Sequence, residues 1–160
     1  LAFLVRRATE HDLGGILECL RAAFEPYRLS YTRAAFHDTV PALDALRERL
    51  AAMIVLVAVS ASGGVAGTVA GGRRDPAEGH LRGMAVDPVW QGSGVADDLL
   101  AAIETELRML GCARVTLATT EPLQKAMRFY AKHGYAPTGR VADFFGMPLH
   151  EYVKPLAAES

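Results

Sequence analysis

Residues 86–99 read VDPVWQGSGVADDL: a glycine-rich turn set between an apolar run ending at Pro88 and a helical pattern starting near Val95. Such a turn collects backbone N–H groups without partners at the positive end of a helix dipole, which makes an anion site suited to phosphate. It also requires strand and helix to alternate around it, which points to an α/β fold. Three familiar glycine-loop chemistries fail here. A dinucleotide fingerprint needs a third glycine where Asp97 follows Gly92 and Gly94. A P-loop needs a lysine, and the stretch has none. A nucleophile elbow needs glycines two residues either side of its serine, whereas Ser93 has Gln91 and Val95 there.

The rest of the chain supplies a matching set of elements. Phe3 to Arg7 reads as a strand, and Leu13, Ile16, Leu17, Leu20 and Phe24 recur at helical spacing behind Thr9 and Asp12, which predicts a helix over 10–24. A second helical stretch, Ala35 to Leu50, is broken at Pro41. Two apolar runs around SASGG predict a hairpin. GHLRGMAV is a fourth strand, with His80, Arg82, Met84 and Val86 expected on one face and Leu81, Gly83 and Ala85 on the other. A helix from Val95 to Leu110, a strand at 113–119, a helix from Pro122 to Gly134 and two strands around Gly146 complete the order β-α-α-β-β-β-α-β-α-β-β. This implies one mixed sheet with helices on both faces, a single domain over residues 1–160, and a loose tail at 156–160.

Composition narrows the function. A net charge of −1 provides no field for nucleic acid or an anionic membrane surface. The longest apolar run, Ala51 to Val59, is too short for a bilayer span. Cys19 and Cys112 stand alone, without CxxC or histidine spacing, so free thiols in a reducing cytoplasm are expected and a metal site is not.

Gln91, Gly94 and Ala96 form Q-x-x-G-x-A directly after MAVDP, and AMRFYAKHGY places Ala126, Tyr130, Gly134 and Tyr135 as A-x-x-x-Y-x-x-x-G-Y on the helix after strand five. In these two segments, their order and the element order from Phe3 to Lys154, the chain resembles the GNAT superfamily of acyl-CoA-dependent N-acyltransferases. The resemblance implies a splay between strands four and five and acetyl-CoA as acyl donor. The pantetheine arm would lie along Met84, Ala85 and Val86, and the pyrophosphate on the main-chain N–H groups of Gln91, Gly92, Ser93, Gly94, Val95 and Ala96. Lys125 or Arg128 would reach the phosphates, because the loop itself carries no cation. Dimerisation is common in the family.

The resemblance also distributes the chemistry. Acyl transfer to an amine needs a proton acceptor, since a lysine-type ammonium has a pKa of about 10.4, and an acid for the departing thiolate. Tyr130 matches the family's acid, although its place on an apolar stripe also suits a core tyrosine. A strand-four N–H near Met84 or Ala85 would polarise the thioester carbonyl. The base falls at His80, where some members have glutamate, with Glu78 as the other candidate. The family's frequent asparagine is Leu123 here, leaving Thr119 and Thr120 as polar substitutes. Tyr27, Arg28, Tyr31 and Phe145 frame the expected acceptor pocket, with Arg28 or Arg33 placed to pair a carboxylate, or else with the aromatics packing two helices together. The acceptor is a small-molecule or peptide amine. A non-catalytic acyl-CoA sensor, or a transferase using a longer acyl chain, remains the alternative reading.

Overall fold

The computed structural model describes residues 2–156. Strand β1 (Phe3–Arg7) leads through a single 3-10 turn into helix α1 (Leu13–Phe24). A 3-10 stretch over Glu25–Ser30 connects it to α2 (Arg33–Thr39), and Pro41 separates α2 from α3 (Leu43–Ala52). The hairpin is β2 (Ile54–Ser60) and β3 (Val65–Asp75), followed by β4 (Glu78–Val86), α4 (Val95–Met109), β5 (Arg114–Thr120), α5 (Gln124–Lys132), β6 (Ala136–Phe144) and β7 (Met147–Pro155). The strands form one seven-stranded sheet in the order β1-β2-β3-β4-β5-β7-β6, the mixed α/β architecture expected.

Helices cover both faces. Leu13, Ile16 and Leu20 of α1 and Leu46 of α3 pack on Val55, Val57, Ala70 and Ala85. On the other face Leu99, Ile103 and Leu107 of α4, all fully buried, sit on Leu56, Val69, Leu81 and Val115. Helix α4 lies close because β3 and β4 present glycines beneath it: a Cβ at Gly71 would stand 2.8 Å from Ile103 Cγ1, and one at Gly79 would stand 2.8 Å from Leu107 Cδ1. Cys19 and Cys112 are both buried, free thiols. Among the described residues no helix is long and apolar enough to cross a membrane.

Strand β4 departs from simple alternation. Thr68 pairs with Ala85 but Ala70 pairs with Arg82, so β4 carries one extra residue there, and Gly83 takes a φ of +64°. A bulge of this kind turns the following residues to the opposite faces. Leu81 therefore packs with Met84 and Val86 on the α4 side, while Ala85 joins the α1 cluster. The single-face grouping of His80, Arg82, Met84 and Val86 does not hold. At the C-terminal end, Leu156 is anchored, its N–H donating to Ala113 O at 2.8 Å. The remainder of the expected tail, 157–160, lies outside the described residues.

Candidate active site

All neighbouring strands are antiparallel except β4 and β5, which run parallel and pair only from Glu78 with Arg114 to His80 with Thr116. Beyond that point β5 continues against β7 as far as Thr120, and the two parallel strands part. The splay opens a cavity of about 610 Å3, walled by β4 from His80 to Val86, by β5 from Leu117 to Thr120, and by the loop into α4. The facing edges of both strands are thereby left without a sheet partner.

The loop is shaped by its own polar groups. The Asp87 carboxylate accepts from Val89 N at 3.0 Å, and Ser93 Oγ donates to Trp90 O. Gly92 and Gly94 take φ of +80° and +92°, a region costly for side-chain-bearing residues, and Gly94 is the residue that starts α4. Gln91 N and Ser93 N bond back to Pro88 O and Trp90 O. The N–H groups of Gly92, Gly94, Val95, Ala96 and Asp97 have no acceptor among the described residues. These free donors at a helix N-terminus, with open space where Cβ atoms at Gly92 and Gly94 would stand, fit a pyrophosphate. Ser93 does not line the cavity; Lys125 does, and Arg128 does not.

Tyr130 lines the cavity from α5 while only 7% exposed, its ring edge-on to Phe129 at 5.5 Å and to Tyr135 at 5.7 Å. Its hydroxyl has no hydrogen-bond partner among the described residues, and burial pushes its pKa well above the ordinary value. Thr119 also lines the cavity, and its Oγ1 is buried without a partner. Buried polar groups are normally paired, so an orphan on a cavity wall points to a ligand. Thr120, by contrast, is engaged with Tyr31 at 2.7 Å.

The base candidates fare differently. His80 lines the cavity, with Arg74 Nη2 at 2.8 Å and Thr116 Oγ1 at 2.9 Å from its Nδ1. Burial, then the cations Arg74 and Arg82, push its pKa down to about 4. The ring is therefore neutral at pH 7. A nuclear magnetic resonance titration of the ring protons should give a midpoint near 4 instead of the ordinary value of about 6.5. Because the folded pKa is the depressed one, the unfolded chain binds this proton first as pH falls. Stability linked to His80 is present above about 6.5 and lost between about 6.5 and about 4. Urea unfolding at pH 7 and pH 4.5 should show a smaller difference for His80→Gln than for the native chain. Glu78 does not line the cavity: its carboxylate accepts from Arg114 Nε at 3.0 Å and sits 3.5 Å from Arg74 Nη1.

At the acceptor end Tyr27 and Tyr31 line the cavity as expected. Arg28 does not: it is tied to Glu25 at 2.9 Å and stacks over the Phe36 ring at 4.2 Å. Phe145 is half exposed in the β6–β7 turn at φ +50°, and Phe144 takes the wall position in its place. The cavity cation that sequence reasoning missed is Arg49, on the last turn of α3. In sequence it stands in the charged run Arg47-Glu48-Arg49, and its guanidinium fills the space that a side chain at Gly83 would take.

Comparisons with known proteins agree with this geometry. The Acetyltransferase (GNAT) family matches over residues 16–135. An aminoglycoside N(6')-acetyltransferase type 1 of Stenotrophomonas maltophilia is 38% identical over 71 residues, 44% of this chain and 46% of that relative, so the match spans less than half of its length. PaiA N-acetyltransferase from Thermoplasma acidophilum, solved with coenzyme A, superposes with a TM-score of 0.80 at 16% identity over 98% of this chain and all of that one. YncA from Salmonella typhimurium, solved with acetyl-CoA, gives 0.73 at 20% identity over 100% and 97%. The ribosomal-protein-S18-alanine N-acetyltransferase of Escherichia coli gives 0.76 at 15% over 99% and 97%. These solved structures share the fold. The splayed strands, the glycine loop and the matched span together identify the chain as a member of the GNAT acetyltransferase family.

Proposed function

We propose that this protein is an N-acetyltransferase that moves the acetyl group of acetyl-CoA directly onto a primary amine while both are bound. The observation that carries the reading is the set of free N–H groups at Gly92 and Gly94 to Asp97, which opens onto the same cavity as the unpartnered Tyr130 hydroxyl. When bound, acetyl-CoA supplies an activated acyl carbon and a thiolate leaving group. The loop N–H groups and the α4 dipole hold the pyrophosphate, Lys125 adds a cation, and the unpaired β4 edge at Met84 to Val86 receives the pantetheine amides. An N–H of Met84 or Ala85 polarises the thioester carbonyl. Tyr130 keeps its proton at every working pH and donates a hydrogen bond to the sulfur as charge builds there.

His80 and Glu78 do not serve as strong bases in this arrangement. Moving a proton from an ammonium near 10.4 to a ring near 4 is uphill by roughly 9 kcal/mol at 1.36 kcal/mol per pKa unit. The amine loses its proton to water instead. kcat/KM should therefore rise with pH without a limb near 6.5, and His80→Gln should keep the shape of that profile.

The reading is tested by thiol release from acetyl-CoA with amino acids, polyamines, aminoglycosides and peptide N-termini. Release with one class supports a transferase. The second reading, a non-catalytic acyl-CoA sensor, is favoured by Leu123 at the asparagine position and by the lack of a glutamate among the cavity-lining residues. It predicts binding without release, and propionyl- and succinyl-CoA in the same assay test a longer acyl chain. Buried reduced thiols suit the cytoplasm, where this reading places the protein.

A further inference from the structure

At the acceptor end of the cavity two cations, Arg49 and Arg82, share one carboxylate, Asp38. Arg82 lies 3.7 Å from Asp38, whose charge also reaches Arg49 without a hydrogen bond, so the pair of arginines keeps one net positive charge. Arg28 is used by Glu25, Arg74 by Glu78 and Glu151, and Arg114 by Glu78 and Asp75. The Arg49 guanidinium lines the cavity with no hydrogen bond or ion pair to any described residue. It is nonetheless mostly withdrawn from solvent: burial and the neighbouring Arg82 lower its pKa to about 10, against the opposing pull of Asp38. Its position is built into the strand. Nη1 stands 2.6 Å from where a Cβ of residue 83 would be, so the glycine of the β4 bulge makes the room that the guanidinium fills. Residue 83 directly precedes Met84 and Ala85, whose N–H groups are read above as the thioester contact.

A guanidinium held in a pocket without an acceptor is a fork for a planar anion. Building on the transferase reading, we infer that the acceptor carries a carboxylate close to its amine, as an amino acid does, and that Arg49 receives that carboxylate beside Gly83. The geometry fits the reacting end: the fork sits one residue from the proposed thioester contact, so the bound amine is delivered to it. A polycationic acceptor meets the net positive charge of Arg49 and Arg82 against the single carboxylate of Asp38. Arg49 is in this sense the determinant of acceptor class, with Gly83 as the residue that positions it.

The test compares matched triplets of one amino acid, its carboxamide and its decarboxylated amine. In transfer assays the acid should be favoured over both others by about tenfold or more in kcat/KM, the range of a charge-assisted hydrogen bond. Arg49→Met should bring that ratio close to one, and Arg49→Lys, which keeps charge without the fork, should fall between. Equal use of acid and carboxamide by the native protein, or a ratio unmoved by Arg49→Met, overturns the inference. A second measurement needs no turnover: calorimetric titration of the N-acetyl amino acid and its carboxamide into protein saturated with coenzyme A. The acid should bind about tenfold tighter to the native chain and no tighter than the carboxamide to Arg49→Met. Acid-selective, Arg49-dependent binding without any thiol release supports this inference while rejecting the transferase reading. Transfer to amines without acid selectivity rejects this inference and leaves that reading standing. Should Arg49→Met fail to fold, the native acid-to-carboxamide ratio and the lysine variant still decide.

Discussion

Tyr130→Phe should lower kcat by about a hundredfold or more, within the range of a lost general-acid contact, while the thermal midpoint stays the same or rises slightly. The split follows from the geometry. The substitution removes only a hydroxyl that bonds to nothing in the protein, so no partner is orphaned, and the ring contacts with Phe129 and Tyr135 survive. Affinity for acetyl-CoA should change little, because the hydroxyl acts on sulfur only as charge develops during transfer. Steady-state kinetics with a thiol-trapping dye, beside a thermal melt, reads both. An unaltered kcat removes Tyr130 from the mechanism, and a large fall in stability makes it a core residue only.

The second large effect concerns stability alone. Glu104 of α4 is 7% exposed and accepts from Lys154 Nζ at 2.9 Å and from Tyr135 Oη at 2.7 Å. This buried group ties β7 and the segment after α5 to α4 at the level where β4 and β5 still pair. Replacing Lys154 by methionine leaves a buried carboxylate with only the tyrosine, a loss of about 3–5 kcal/mol. For a domain of this size that lowers the melting temperature by on the order of 10 °C. Buried ion pairs often exchange for apolar ones at little net loss, so Lys154→Met with Glu104→Leu should recover most of the deficit. If the single variant melts within 2 °C of the native chain, at about 2–4 °C per kcal/mol, the pair is effectively solvated and this account of β7 docking is wrong.

Local patterns carried much of this structure. The α4 stripe, the hairpin around SASGG and the glycine loop were legible because spacing and turn chemistry specify them without reference to distant residues. Other features depended on tertiary neighbours. One extra residue at Gly83 turned the second half of β4 over, and alternation alone cannot announce a bulge. His80 looked like a base at the ordinary histidine pKa, but Arg74 and Arg82 come to it through strand pairing and the fold. Nothing in the local pattern around Arg49 marks it as a cavity residue, because the room for it is made by Gly83 on a distant strand. Arg28 could have been read correctly, since Glu25 stands three residues before it, the spacing of a helical ion pair. The glycine loop was legible as a region, but which of its N–H groups stay free was not: Gly92 and Gly94 to Asp97 are free, while those of Gln91 and Ser93 are spent inside the loop.

The central claim is that acetyl-CoA binds in the splay with its pyrophosphate on the glycine loop. Calorimetric titration of acetyl-CoA into the native chain and into Gly94→Val tests it most directly. A β-branched residue at φ +92° is strained by roughly 1–3 kcal/mol, while the space around it is open, so the loop shifts and the rest of the fold stands. Saturable one-to-one binding to the native chain, lost or weakened at least tenfold in the variant at an unchanged far-ultraviolet spectrum, is the expected result. No binding to the native chain, or equal binding to both, contradicts the assignment of the loop.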